Sequence, residues 1–278
     1  QVPLGKHTLQ AENRSGQKWE QEITLSDQKQ KVVKISFAQE ESPSGKDFTE
    51  HVAGVDIEMV YVEGGTFRMG SNSSEADDDE QPVHSVTVDD FYIGKYEVTQ
   101  AEWRAIMGSN PSHFGGCSSC PVESVSWHDA QDFISRLNSK TGKNYRLPTE
   151  AEWEFAARGG TESRGYTYSG SDNVYDVAEF DGNNDSKPRP VGGKRANELG
   201  IYDMSGNVWE WCSDWYDSDY YSRSPQHNPQ GPGSGSFRVS RGGSWSNLAR
   251  NCRSARRYYG SPGYSSGDLG FRMVLSSN

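Results

Sequence analysis

Strong helix starts are few in this sequence, and all three fall between residues 99 and 159. Thr99 with Glu102, Ser126 with Asp129 and Thr149 with Glu152 each read as a capping box. In that motif the hydroxyl accepts the third helical N–H and the acid answers the cap's own N–H. The first helix carries Trp103, Ile106 and Met107 on one face and stops at Gly108. The second places Ala130, Phe133, Ile134 and Leu137 at i, i+3, i+4 and i+7, and the third runs through Trp153 and Phe155 to Gly159. Elsewhere the 30 glycines and 12 prolines allow only short strands and loops. The pattern predicts a mixed α+β fold with little regular secondary structure. Only 32% of the residues are hydrophobic, so the 8 Trp, 14 Tyr and 10 Phe must supply much of the buried area.

Residues 1–37 differ from the rest. HTLQAEN, KWEQEITL and KVVKISF alternate as strands between RSGQ and SDQKQ turns, which predicts a small three-strand β meander. This stretch resembles the later strands of a PEGA-type module, a small β unit of bacterial envelope proteins. Residues 38–51 have the composition of a linker, so the main domain is expected over 52–278. MVYVEGGTFRMG, from Met59, reads as a strand entering a turn. The acidic run Asp77, Asp78, Asp79 and Glu80 beyond it reads as a solvated loop.

The net charge of −11 disfavours nucleic acid and anionic membrane as partners, because phosphates need clustered Lys and Arg. No apolar run approaches the roughly 18 residues of a membrane span. The chain opens QVPLGKHTLQ without the order of a signal peptide, so a membrane anchor would belong to a segment preceding this start. The even set Cys117, Cys120, Cys212 and Cys252 suits an oxidising compartment. CSSC at 117–120 favours a local disulfide or free thiols over zinc, since no second pair or histidine completes a four-ligand site. Cys252 lies among Arg250, Arg253, Arg256 and Arg257. It reads as a reactive thiolate favoured by those cations, half of a structural disulfide, or a small buried residue.

FYIGKYEVTQAEW, PVESVSWHDA, NYRLPTEAEWEFAARGG, ELGIYDMSGNVWEW, FRVSRGGSW and LGFRMV succeed one another in that order. Together, over about residues 56–276, they resemble the sulfatase-modifying factor family, the domain of the formylglycine-generating enzyme. The resemblance implies a C-type-lectin-like fold, calcium ions fixing loops, and a periplasmic or extracellular setting. The family's enzyme oxidises a sulfatase cysteine to formylglycine, using copper(I) held by two cysteines spaced C-x4-C; soft thiolates suit that ion. Here Asn247 stands five residues before Cys252 and Arg257 five after. Counting instead from the LGFR region puts Ser254 near the second cysteine and Ala249 near the first. Either register leaves at most one copper ligand, so copper is not expected. The sulfoxide synthases sharing this domain are disfavoured too, for no H-x3-H-x-E pattern is present.

The same resemblance matches Asp203, the carbonyls of Met204, Gly206 and Val208, and Glu210 to a calcium loop. Calcium wants six to eight hard oxygens, which a Gly-containing turn can help supply. The competing reading has Asp203 capping a turn and Glu210 paired with an arginine. Glu179, Asn183 and Asp185 match a second calcium loop. Trp209, Trp211 and Trp215 read as core. The family's fold would also bring Cys212 and Cys252 together, implying a disulfide between them and leaving Cys117 and Cys120 as the local pair. The arginines around Cys252 are then expected to pair with carboxylates of 203–219. The expected function is a binding or structural module presenting a loop surface to a protein, peptide or glycan. The alternative is an oxygen-dependent oxidoreductase acting through Cys252, with Ser254 beside it.

Overall fold

The computed structural model describes strands β1 (Gly5–Glu12) and β2 (Lys18–Leu25) and residues 46–277. The chain divides into two units, 1–41 and 42–278. In the first, β1 and β2 pair antiparallel from Gly5 opposite Leu25 to Glu12 opposite Lys18, as their alternation predicts. The expected third strand, 31–37, lies outside the described residues.

The second unit begins earlier than its composition suggests. β3 (Phe48–Val52) and β4 (Val55–Val62) form a hairpin, so the expected linker ends in an edge strand. Its turn is Ala53-Gly54, with φ of 50° and 81°. Two left-handed residues match the twist of the flanking strands. Phe48 packs edge-on against Tyr92 and Glu50 bonds Tyr145, contacts that the polar text FTEH conceals.

β5 (Gly65–Met69) and β6 (His84–Val88) make a two-stranded ribbon. β7 (Phe91–Gly94), β8 (Tyr145–Arg146) and the C-terminal β13 (Val274–Ser276) complete a five-stranded sheet in the order β3-β4-β7-β13-β8. A second sheet combines β9 (Trp209–Trp215), β10 (Arg238–Arg241), β11 (Arg257–Gly260) and β12 (Leu269–Gly270) in the order β11-β10-β9-β12. β11 is therefore an edge strand.

All three capping boxes form. Thr99 caps α1 (Gln100–Met107), Ser126 caps α2 (Trp127–Thr141) and Thr149 caps α3 (Glu150–Ala157), each accepting the N–H three residues on. Losing one such cap costs about 1 kcal/mol. α1 and α2 bury apolar stripes, stacking Trp103 on Phe133 at 5.3 Å. α3 has no solvent face: Trp153, Phe155 and its three alanines are buried, and so are Glu150 and Glu154. Those two carboxylates tie α3 to the second sheet through arginines.

Candidate functional site

Two buried ionic networks hold the loops in place. In the first, Arg241 and Arg257, both in the second sheet, reach α3. Arg257 donates from Nε and Nη2 to the two oxygens of Glu150 at 2.7 and 2.9 Å. Arg241 pairs with Glu150 and Glu154, and its Nη atoms donate to the carbonyls of Ser254 and Ala255. Arg253 grips Glu80 through both oxygens at 2.6 and 2.7 Å, and Arg256 pairs with Asp77. The arginines near Cys252 thus draw their acids mainly from residues 77–80 and α3 rather than from 203–219. Asp217 lends Arg257 only its carbonyl. The acidic run is accordingly solvated only in part, with Asp77 and Asp78 exposed and Asp79 partly buried. Glu80 is wholly buried in a 3-10 turn, because Arg253 neutralises it there.

In the second network Arg272 donates to both oxygens of Glu210, at 2.6 and 2.7 Å, and the Trp153 indole N–H bonds Glu210 Oε2 at 2.7 Å. Glu97 lies close by, accepting from the Asn207 side chain and the Val208 N–H. Asp203 takes the Gly192 N–H. Burial, then the neighbouring Asp203 and Glu210, pushes the Glu97 carboxyl well above its ordinary range. Burial pushes Asp203 up to about 6. Sequence reasoning missed Glu97 and Arg272, although each is a lone charge inside an apolar motif, YEVT and LGFRMV.

Of the residues matched to the first calcium loop, Glu210 offers that ion no free carboxylate edge. Glu210 has both oxygens committed to Arg272 and Trp153, the arginine-paired reading of this residue. The 203–208 turn instead packs on the 179 loop. Gly206, at φ 85°, lies so close that a Cβ would sit 2.3 Å from the Glu179 carbonyl oxygen. Of the second set, Asn183 bonds backbone at 178 and 180, Asp185 pairs with Arg189, and Glu179 lies 3.7 Å from Lys194. Among the described residues no group of three or more His, Cys, Asp or Glu side chains is placed to hold a metal.

Cys117 and Cys120 form a disulfide, whereas Cys212 and Cys252 are free and buried. The expected Cys212–Cys252 bond is absent because the thiols occupy different cores. Cys212 packs in the cluster around Trp153 and Val239, and Cys252 in a small one with Val174, Ala178 and Phe180. Gly243, at φ 76°, closes over Cys252: a Cβ there would stand 2.9 Å from its Sγ. Burial raises the Cys252 thiol to about 12. Arg253, Arg256 and Arg257 do not counter that shift, for their charge is spent on carboxylates. Ser254 is buried as well, its backbone bonded to Thr167 and Arg241. Two thiolates for copper(I) are not available in this arrangement.

A concavity with a volume of about 210 Å³ lies over β9, β10 and β11. Trp209, Trp211 and Ser240 line its floor, and Asn247, Asn251, Arg256 and Asp268 its rim. Tyr258 and Tyr264 form its walls while remaining about half exposed. Tyr258 stacks on Trp209 at 5.0 Å, and Tyr259 stacks on Tyr216 at 4.0 Å. Asn247, five residues before Cys252, thus faces the groove as an amide, with its Oδ1 accepting from Ser244. The sequence reading did not single out these tyrosines; their signal is three large aromatics in a Gly/Ser-rich stretch before the last motif.

Residues 47–277 match the model of the sulfatase-modifying factor enzyme 1-like domain. The chain is 39% identical over 241 residues to a protein of Paenibacillus barcinonensis named chaperone protein LppX, covering 69% of this chain and 79% of that one. It is 40% identical over 195 residues to the formylglycine-generating enzyme of Streptomyces coelicolor, covering 64% of this chain and 59% of the enzyme. With several other curated relatives the match spans 38% of their length. Among solved structures, Treponema denticola variable protein 1 superposes with a TM-score of 0.76 at 33% identity, over 83% of this chain and 99% of that one.

Proposed function

The chain belongs to the sulfatase-modifying factor enzyme 1-like domain family, and we propose that it acts there as a binding module of the bacterial envelope, taking a protein, peptide or glycan ligand in the tyrosine-walled groove. One observation carries this reading. Neither position five residues from Cys252 holds a cysteine, the two being Asn247 and Arg257, and Cys252 is sealed beneath Gly243 with its thiol pushed up to about 12 by burial. A thiol so protonated is a poor nucleophile and a poor soft-metal ligand. Half-exposed tyrosines on a rigid support suit recognition, since they offer large contact area at low entropic cost. The Cys117–Cys120 disulfide supports an oxidising, extracytoplasmic setting. Function is argued from the site because this fold alone does not specify it.

The rival reading, an oxidase, draws on the 40% identity to the Streptomyces enzyme. The test incubates the purified chain with copper(I), measures bound metal, and follows oxygen uptake on a cysteine-containing peptide. Sub-stoichiometric copper and no turnover are expected. One copper per chain with turnover, abolished by Cys252→Ala, would overturn the proposal.

A further inference from the structure

Resting on the reading of the domain as a binding module, we infer that the groove is built for a neutral saccharide, a single sugar ring seated against the tyrosines. Charge is the first argument. The two charged side chains at the rim are already engaged within the protein. Arg256 is paired with Asp77, and Asp268 keeps its charge while accepting the Ser246 hydroxyl on one oxygen and the Ser266 hydroxyl on the other. An anionic ligand would have to displace Asp77 from Arg256 to find a partner, and the charge that Asp268 keeps would repel it.

Shape and chemistry agree with that. A volume of about 210 Å³ falls below the roughly 300–1,000 Å³ of pockets that enclose drug-sized ligands, so it suits one ring. Tyr258 has one face fixed on Trp209 and is 48% exposed, and Tyr264 is 51% exposed. The negative face of an aromatic ring attracts the partly positive C–H edges that one side of a sugar presents. Sugar hydroxyls need groups that both donate and accept, and hydroxyls and amides do both. Ser240 supplies one at the floor. It is 1% exposed, and its hydroxyl makes no hydrogen bond to a described residue. Asn251 supplies an amide beside it.

The experiment presents the full purified chain to an array of immobilised neutral oligosaccharides, with sialylated and sulfated glycans and unstructured peptides as comparators. The expected result is capture by one neutral glycan class, insensitive to salt. Tyr258→Ala and Tyr264→Ala, both at exposed positions, should each weaken it about tenfold, equivalent to about 1.4 kcal/mol, with an unchanged melting midpoint. Capture by anionic glycans alone, or by no glycan, overturns the inference. Capture of a peptide that Tyr258→Ala abolishes overturns it too, while leaving the binding-module reading intact. Copper-dependent turnover would remove both.

Discussion

Replacing Arg272 with methionine removes one cation from beneath three buried carboxylates. Arg272 is wholly buried and donates to Glu210 twice, to the Gly94 carbonyl at 3.0 Å and to the Tyr202 carbonyl at 2.9 Å. Methionine fills much of the same volume with no donor, so Glu210 keeps only the Trp153 N–H, and Glu97 and Asp203 lose their nearest positive charge. Breaking a buried pair from one side costs about 3–5 kcal/mol. Against a total of about 5–15 kcal/mol this is severe. At about 2–4 °C per kcal/mol for a domain of this size, the midpoint should fall by about 6–20 °C. The loss has a pH signature whose sign comes from the carboxyls. Burial already pushes Asp203 up to about 6 from an ordinary 3.8, and Glu97 is raised well above its own ordinary value. Without the guanidinium, these groups rise more. A carboxyl raised in the folded state favours folding below its unfolded pKa and loses that contribution as pH climbs through the folded one. The variant's deficit should therefore be larger at pH 8 than at pH 5. Thermal unfolding followed by circular dichroism at both pH values is the assay, and adding Glu210→Gln to the variant should restore part of the midpoint. A deficit below about 1 kcal/mol at pH 8, or one that grows on acidification, would refute this account of the network.

Asp214 is buried and pushed up to about 7, by burial and then by Glu150; Asp214→Asn keeps an acceptor for the Glu150 N–H and should raise stability above pH 7 by up to about 4 kcal/mol, a gain that fades by pH 4 and whose absence in a pH-resolved denaturant series would count against it. A non-reduced digest should show one linked pair, Cys117 with Cys120, and native protein should resist alkylation at Cys212 and Cys252 until unfolded; rapid labelling of native Cys252 would return that thiol to the candidate nucleophiles. Calcium or chelator should leave the melting midpoint unchanged, because both Glu210 oxygens already have partners; a calcium-dependent rise would mean that this pair opens to admit the ion. A chain beginning at Lys46 should melt like the intact main unit, whereas one beginning at Ala53 loses β3 and should be weaker by about 2 kcal/mol, and equal midpoints would show the strand to be dispensable.

Local rules were legible and distant pairings were not. Thr99, Ser126 and Thr149 each announce a helix because the capping partners lie three residues apart. The six motifs likewise point to the family that residues 47–277 match. Glu80 finds Arg253 across 173 positions, and nothing near Glu80 distinguishes it from the solvated acids it adjoins. The same distance hides the burial of Glu150 and Glu154, since a carboxylate on a helix reads as a surface residue until its guanidinium is located. β3 reads as linker because four of its five residues stay partly or fully exposed. The disulfide error has a different origin. Two motifs can adjoin in one fold while their cysteines face separate clusters, and motif order carries no thiol-to-thiol distance.

The buried arginines also explain how so little regular structure holds a defined groove. Loops leave backbone carbonyls without strand partners, and a buried carbonyl without a donor is costly. Arg241 serves the carbonyls of Ser254 and Ala255, Arg253 that of Glu75, Arg257 those of Asp79 and Asp217, and Arg272 those of Gly94 and Tyr202. Each also binds a carboxylate that keeps the cation neutralised. A guanidinium has five N–H donors in a fixed fork, so it can bind an acid and two loops at once; a lysine ammonium, with three donors at one point, cannot span them. Buried ion pairs of this kind add little net stability over an apolar core. Their effect is to fix where each loop runs. Arg253, Arg256 and Arg257 anchor the segment that leads into Tyr258, Tyr259 and Tyr264, so the groove's walls are held before any ligand arrives. A wall already in place loses less conformational entropy on binding, and that saving appears directly as affinity.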